Sequence, residues 1–191
     1  MVNAKHALVA FGGNLPLNER TTAELIGAAV ASIEQAGLRL ISLSRLYRTP
    51  CFPVGAGPDY VNAAACFALP LGFDPEQVLA ILHQVEAELG RERKARWAGR
   101  TLDADLLAVD DLIRPDPAVQ TTWRNLSLEK QMQQAPSELI LPHPRLQDRA
   151  FVLIPLLDVA PNWVHPLLGE TVEQMLSHLS SEDREGVREF Q

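Results

Sequence analysis

The sequence predicts an α+β fold with a mainly antiparallel sheet and flanking helices. Strand-like and helix-like segments mix without strict β-α alternation. Strand pairs also follow one another directly in two places: Leu38–Tyr47 into Tyr60–Leu69, and Thr101–Val109 into Leu112-Ile113. The 191 residues, 47% hydrophobic and 21% charged, suffice for one real core and are unlike a disordered chain. One domain over 1–191 is expected.

His6–Phe11 is a short apolar run that ends in Gly12-Gly13-Asn14, a buried strand with a turn after it. Thr21 and Glu24 have the spacing of a capping box. The helix they open carries Ile26, Ala29, Val30 and Ile33 at helical spacing and stops near Gly37. Leu38–Tyr47 alternates as a strand, Thr49–Pro58 is a Pro- and Gly-rich loop, and Tyr60–Leu69 is another strand. Asp74-Pro75-Glu76-Gln77 starts a helix with Asp as N-cap and Pro at the first position. Val78, Leu82, Val85 and Leu89 line its apolar face, and Gly90 stops it. Thr101–Val109 is a strand turned back by Asp110-Asp111. The polar segment 114–137 holds three prolines and is predicted to be an insertion with a helix over Trp123–Gln134. Glu138–Leu141 is predicted as a strand, Pro142–Asp148 as a loop, Ala150–Asp158 as a buried helix and Thr171–Leu179 as an amphipathic one. The charged tail after Ser180 is expected to fray.

A formal net charge of −7 argues against nucleic-acid binding driven by global charge. Yet residues 91–100 hold five of the 17 basic residues, a local basic loop suited to a small anion such as a phosphate chain. No apolar stretch approaches the ~20 residues of a membrane span, and the first residues lack a signal-peptide layout, so a cytoplasmic location is expected. Cys51 and Cys66 have no metal or disulfide spacing. Neither common glycine-rich nucleotide loop occurs, nor a His pair for zinc, nor a serine nucleophile elbow.

The most informative pattern is Asp103-Ala104-Asp105. On a strand, residues two apart share a face. Two carboxylates there repel unless a cation joins them, and Mg²⁺ accepts one or two carboxylates together with phosphate oxygens. A pair of solvated carboxylates at a strand end is the competing reading. The adjacent basic loop favours the first, because arginine forks match phosphate oxygens in pairs. Phosphoryl transfer consists largely of such positioning and charge neutralisation. Trp97, inside that loop, is suited to cover a heterocycle or to anchor the core. Asn62 lies in an otherwise apolar strand, and a buried amide demands partners.

These residues sit within a larger pattern. Phe11-Gly12-Gly13-Asn14-Leu15, Tyr47-Arg48-Thr49-Pro50, Pro58-Asp59-Tyr60-Val61-Asn62-Ala63 and Gly90-Arg91-Glu92-Arg93 occur in that order. Arg96-Trp97, Arg100-Thr101-Leu102-Asp103-Ala104-Asp105, Pro142-His143-Pro144-Arg145 and Arg149-Ala150-Phe151 follow. Over about residues 8–160 the chain resembles the 6-hydroxymethyl-7,8-dihydropterin pyrophosphokinase family of folate biosynthesis. The resemblance implies a ferredoxin-like core and transfer of pyrophosphate from ATP to the pterin hydroxymethyl group, with release of AMP. It implies two Mg²⁺ ions held by Asp103 and Asp105, and phosphate-side roles for Arg91, Arg93 and Arg100. It implies ATP contacts from His83, Glu86, Arg93, Trp97, Arg100, Leu106, His143 and Arg149. The implied pterin pocket comprises Thr49, Pro50, Phe52, Tyr60, Asn62, Trp97 and Phe151. A monomer without nucleic-acid or membrane partners is expected.

Some positions depart from the family pattern. Gly13 stands where Ser is common, Ala98-Gly99 replaces Gly-Pro, and His83 stands where some members carry Gln. Glu138 and Ile140 occupy positions where bacterial members have Arg and Thr facing ATP. Arg124 or Lys130 is a candidate for the missing charge. Two other readings compete with the active enzyme: a non-catalytic pterin- or nucleotide-binding paralogue, and a nucleotide-sugar transferase resting on the Asp pair alone.

Overall fold

The computed structural model describes residues 5–51, 55, 57–89 and 101–190. Four segments in chain order build the centre of the sheet: β1 (His6–Gly13), β2 (Arg39–Leu43) with β3 (Tyr47–Thr49), β4 (Tyr60–Ala68) and β5 (Asp103–Val109). A last short strand, β6 (Arg188–Glu189), joins the far side. The order is β5-β1-β4-β3-β6, with β2 also on β4, and every pairing is antiparallel. Helix α1 (Thr22–Gln35) links β1 to β2, and α2 (Pro75–Glu88) links β4 to β5. This is the βαββαβ arrangement of a ferredoxin-like core, as the resemblance implies.

Side-chain alternation divides β1 and β4 between two layers. Ala7, Val9, Phe11, Ala63, Ala65 and Phe67 pack on the side of α1 and α2. Leu8, Ala10, Ala64 and Cys66 pack on the opposite side, against α5 (Ala150–Val159) and α6 (Val172–Ser177). Both strands are thus buried on two faces, so their sequences are nearly unbroken apolar runs.

The expected caps are present. Thr21 Oγ1 accepts the Glu24 N–H, and Glu24 Oε2 accepts the Thr21 N–H at 2.7 Å. Asp74 and Gln77 repeat that exchange at the start of α2. Gly37, at φ +104°, ends α1 in a backbone conformation that suits glycine.

Several boundaries differ from expectation. The strand predicted over Leu38–Tyr47 breaks between β2 and β3. The Ser44 hydroxyl accepts the Ala64 N–H at 2.9 Å, and the Arg45 N–H turns to the Asp158 carboxylate at 3.1 Å. The helix predicted over Trp123–Gln134 is two helices, α3 (Pro117–Arg124) and α4 (Leu128–Gln133). Asp116 caps α3, and Ser127 caps α4 after the chain breaks at Asn125. Glu138–Leu141 forms no strand; Leu141 makes only a bridge with Arg114. The tail forms α7 (Ser181–Glu185) and β6 rather than fraying. Arg45 holds Glu189 at 2.8 Å, and the Arg48 guanidinium lies over the Phe190 ring.

Asp158, at the end of α5, ties this corner together. Arg45 reaches both its carboxylate oxygens, and the Tyr47 hydroxyl donates to it at 2.8 Å. Burial and that bond to a carboxylate push the Tyr47 hydroxyl up to about 12.

Gly13 has a steric reason. A Cβ there would collide with the Thr101 carbonyl oxygen and lie 3.0 Å from Thr22 Cγ2. Gly13→Ser should therefore lower the unfolding free energy by about 1–3 kcal/mol, as overpacking does. Urea denaturation measures it; wild-type stability would show that β1 and the start of β5 separate freely.

Candidate active site

Register brings the site residues into rows across the sheet face that α5 covers. Gly12 pairs with Asp103 on one side and Asn62 on the other, and Asn62 pairs with Tyr47. In the next row Ala10 lies between Asp105 and Ala64. Directly paired residues share a face, so Asp103, Asp105 and Asn62 face the same way. Two strand spacings, about 10 Å, separate the carboxylates from the amide. Between them the floor carries only Gly12 and Ala10.

Asn62 is 4% exposed, and its Nδ2 donates to Thr49 Oγ1 at 3.0 Å and, more weakly, to the Tyr47 carbonyl at 3.4 Å. A carbonyl only accepts, so this bond fixes which end of the amide is nitrogen. Asn62 Oδ1 then lies over Gly12, where even a Cβ would come within 3.2 Å of it. Tyr60 pairs with Thr49 one row on. Pro50 follows Thr49 directly. Phe151, in the first turn of α5, is 39% exposed, with the Arg149 guanidinium 5.6 Å from its ring centre.

A cavity of about 350 Å³ opens beyond β5, the edge strand. Leu79, Leu106, Leu139, Ile140 and Trp123 form its apolar part. Asp105, His143 and Arg145 form a polar end, with Gln131 and Glu138 also in the wall. Leu106 and His143, expected as ATP contacts, thus meet here beside Asp105, expected as a metal ligand. His83 and Glu86 lie one and two turns beyond Leu79 on the same face of α2 and do not line the cavity. His83 is exposed; Glu86 is 2% exposed and accepts the Ala104 N–H through Oε1 at 2.9 Å. That bond satisfies a backbone donor between the two aspartates. Arg91, Arg93, Trp97, Arg100 and Phe52 lie outside the described residues.

His143 is held by its own loop. Its N–H donates to the Leu107 carbonyl at 2.7 Å, and its Nδ1 accepts the Arg145 N–H at 3.2 Å. The ring proton is therefore on Nε2. Burial lowers its pKa to about 3, the Arg149 and Arg145 charges push the same way, and Asp103 opposes them. The neutral imidazole offers Nε2–H as a donor. Glu138 is exposed, Ile140 is buried in the wall, and the cation beside them is Arg145 rather than Arg124 or Lys130. Trp123 was not singled out from the sequence as a site residue within 114–137. A helix start at Asp116-Pro117 was the available signal.

The carboxylate pair suits a hard cation, whose preferred ligands are oxygens. Among the described residues, no three His, Cys, Asp or Glu side chains gather as a metal cage. Asp103 and Asp105, which share a sheet face, are the residues that would hold such a cation. No described helix is long and apolar enough to cross a membrane.

The fold and site define a class: an antiparallel α+β protein whose paired carboxylates, buried amide and edge cavity can take an anionic group and a planar one. Comparison with known proteins narrows it. A model of the 7,8-dihydro-6-hydroxymethylpterin-pyrophosphokinase (HPPK) family matches residues 8–161. The 2-amino-4-hydroxy-6-hydroxymethyldihydropteridine pyrophosphokinase of Synechocystis is 33% identical over 174 residues, covering 91% of this chain and 75% of that protein. The Haemophilus influenzae enzyme of that name is 31% identical over 176 residues, covering 90% of this chain and 94% of its own. The chain belongs to the HPPK family. Crystal structures of HPPK-DHPS proteins share its fold: one complex with substrates has a TM-score of 0.62 at 13% identity over 91% of this chain. The Plasmodium falciparum HPPK-DHPS triple mutant gives 0.66 at 14% identity over 98%. This chain spans 43% and 48% of those longer chains.

His143 and fully buried His165 resist protonation until about 3 and about 4 in the folded chain, against 6.5 ordinarily. The unfolded chain therefore binds more protons between those values. Their stabilising contribution is complete above pH 6.5 and is lost as pH falls toward the folded values. Urea midpoints should drop from about pH 7 to pH 5, with a smaller slope in His143→Asn. An unchanged slope in that variant would show that His143 is not buried as a neutral ring.

Proposed function

We propose that Asp103 and Asp105 carry a pyrophosphoryl transfer by holding Mg²⁺ against the triphosphate of ATP. The chain is an ATP-dependent diphosphokinase of folate biosynthesis. It transfers pyrophosphate from ATP to the hydroxymethyl group of 6-hydroxymethyl-7,8-dihydropterin. The substrate hydroxyl oxygen gives up its proton to solvent and bonds to the β-phosphorus, the bond from that phosphorus to the oxygen bridging the α-phosphate breaks, and AMP leaves with that oxygen. The observation that carries the residue assignment is the row Asp103–Gly12–Asn62, which sets an anion-side pair and a ring-reading amide on one sheet face.

Mg²⁺ at the aspartates, when bound, supplies charge neutralisation on the phosphates. The side chains do the rest. Glu86 holds the strand between the aspartates by accepting the Ala104 N–H. His143 Nε2–H and the Arg145 guanidinium donate to phosphate oxygens at the polar end of the cavity. Asn62 Oδ1 accepts from an N–H on the pterin edge, because its nitrogen is engaged with Thr49 and Tyr47. Phe151 offers a face to the pterin ring, with Thr49, Pro50 and Tyr60 around it, and Arg149 bridges that ring to the phosphate side. Arg91, Arg93, Arg100, Trp97 and Phe52 carry the roles the family pattern gives their positions: phosphate binding for the arginines, closure over the substrates for Trp97, and pterin contact for Phe52. Leu106 and His83 are assigned to the nucleotide side on the same ground.

Asp103→Asn and Asp105→Asn should each cut AMP release that depends on pterin and Mg²⁺ by about 10²–10³-fold, a loss of the size seen when one preorganised electrostatic group is removed. Urea midpoints should stay near wild type. Near-normal turnover in either variant would refute the assignment, and a wild-type protein releasing no pterin-dependent AMP would refute the reaction.

A further inference from the structure

We infer that Trp123 is a nucleobase-stacking residue, and that α3 and α4 form one wall of the subsite that holds the base. This rests on the pyrophosphokinase reading above.

The cavity beyond β5 has two ends of different chemistry. His143 and Arg145, with Asp105 acting through a cation, suit phosphates, whereas Leu106, Ile140 and Trp123 suit a flat aromatic ring. Its volume of about 350 Å³ is of ligand size. The planar pterin has its own place, across the sheet floor toward Asn62. The second planar group of the reaction is the base of the nucleoside triphosphate, and the apolar end of the cavity is continuous with the phosphate end. Trp123 is the aromatic side chain in that wall, and indole gives a base a broad stacking face.

The wall is anchored. The chain closes at its base, where Arg114 and Leu141 exchange both backbone hydrogen bonds, at 2.9 and 3.1 Å. Gln120, one turn before Trp123 and 0% exposed, donates to the Pro142 carbonyl at 3.0 Å. Trp123 is therefore presented by a helix fixed to the loop that carries His143. The Gln131 carbonyl in α4 accepts from Arg145 Nη2 at 3.3 Å, so the same wall steadies the cation at the phosphate end.

Calorimetric titration with MgATP, and separately with inorganic tripolyphosphate, tests this in the full chain without pterin. Trp123→Ala should weaken ATP binding about tenfold, as loss of a base–aromatic stack does, and leave tripolyphosphate unchanged. Trp123→Phe should stay within about threefold of wild type for both ligands. If Trp123→Ala fails to fold, Trp123→Leu takes its place, keeping bulk without an aromatic face. Unchanged ATP affinity, or equal loss of both ligands, would overturn the inference. The two readings fail separately: absent pterin-dependent AMP release in wild type defeats the reaction, whereas normal release with unchanged ATP affinity in the variant defeats only the stack.

Discussion

Gly12 and Ala10 separate the Asp103–Asp105 pair from Asn62, so little side-chain bulk stands between them in the sheet. A side chain at position 12 would press on the Asn62 amide, already committed to Thr49 and Tyr47. The register that creates this floor is held by burial of β1 and β4 on both faces, since a slip of one residue would exchange the two layers. Helix α5 then places Phe151 and Arg149 over the same face, and its far end is clamped by Asp158 to Arg45 and Tyr47. The site is thus built from strand register first and from side-chain contacts second.

An acidic chain that binds a triphosphate must concentrate its positive potential locally. Arg145 and Arg149 do so near His143, and their charges help keep that imidazole neutral. A neutral ring with Nδ1 already accepting is a fixed donor at Nε2, and its charge state does not change across the neutral range. Glu138 is exposed, where water and salt screen it more than the half-buried Arg145 beside the same cavity.

Local chemistry was legible in the sequence where it was local in cause. The capping residues Thr21 and Asp74 act within three residues, and the shared face of Asp103 and Asp105 follows from a period of two. The break at Ser44 was not legible, because it depends on Asp158 in another helix. The folded tail depends likewise on Arg45 and Arg48, distant in sequence. Gly13 reads as a plain turn until the Thr101 carbonyl is seen against it. The segment 114–137 was misdivided although Asp116-Pro117 and Ser127 both signal helix starts, because the apolar content that marks a helix face is sparse there.

The arrangement beyond β5 follows from a general difficulty of sheets. An edge strand exposes unpaired backbone groups and must be covered or capped. Glu86 takes the Ala104 N–H, and the His143 N–H takes the Leu107 carbonyl. The Arg114–Leu141 bridge and the buried Gln120 then hold α3 and the loop before α5 beside that edge without adding a strand to it. A cover that docks through helices and a loop cannot fill the space as a paired strand would, and the residual gap is the cavity lined by Leu106 and Trp123. Protection of the edge and provision of the proposed nucleotide slot are one structural solution. It also places that slot next to Asp105, on the strand whose register fixes the rest of the site.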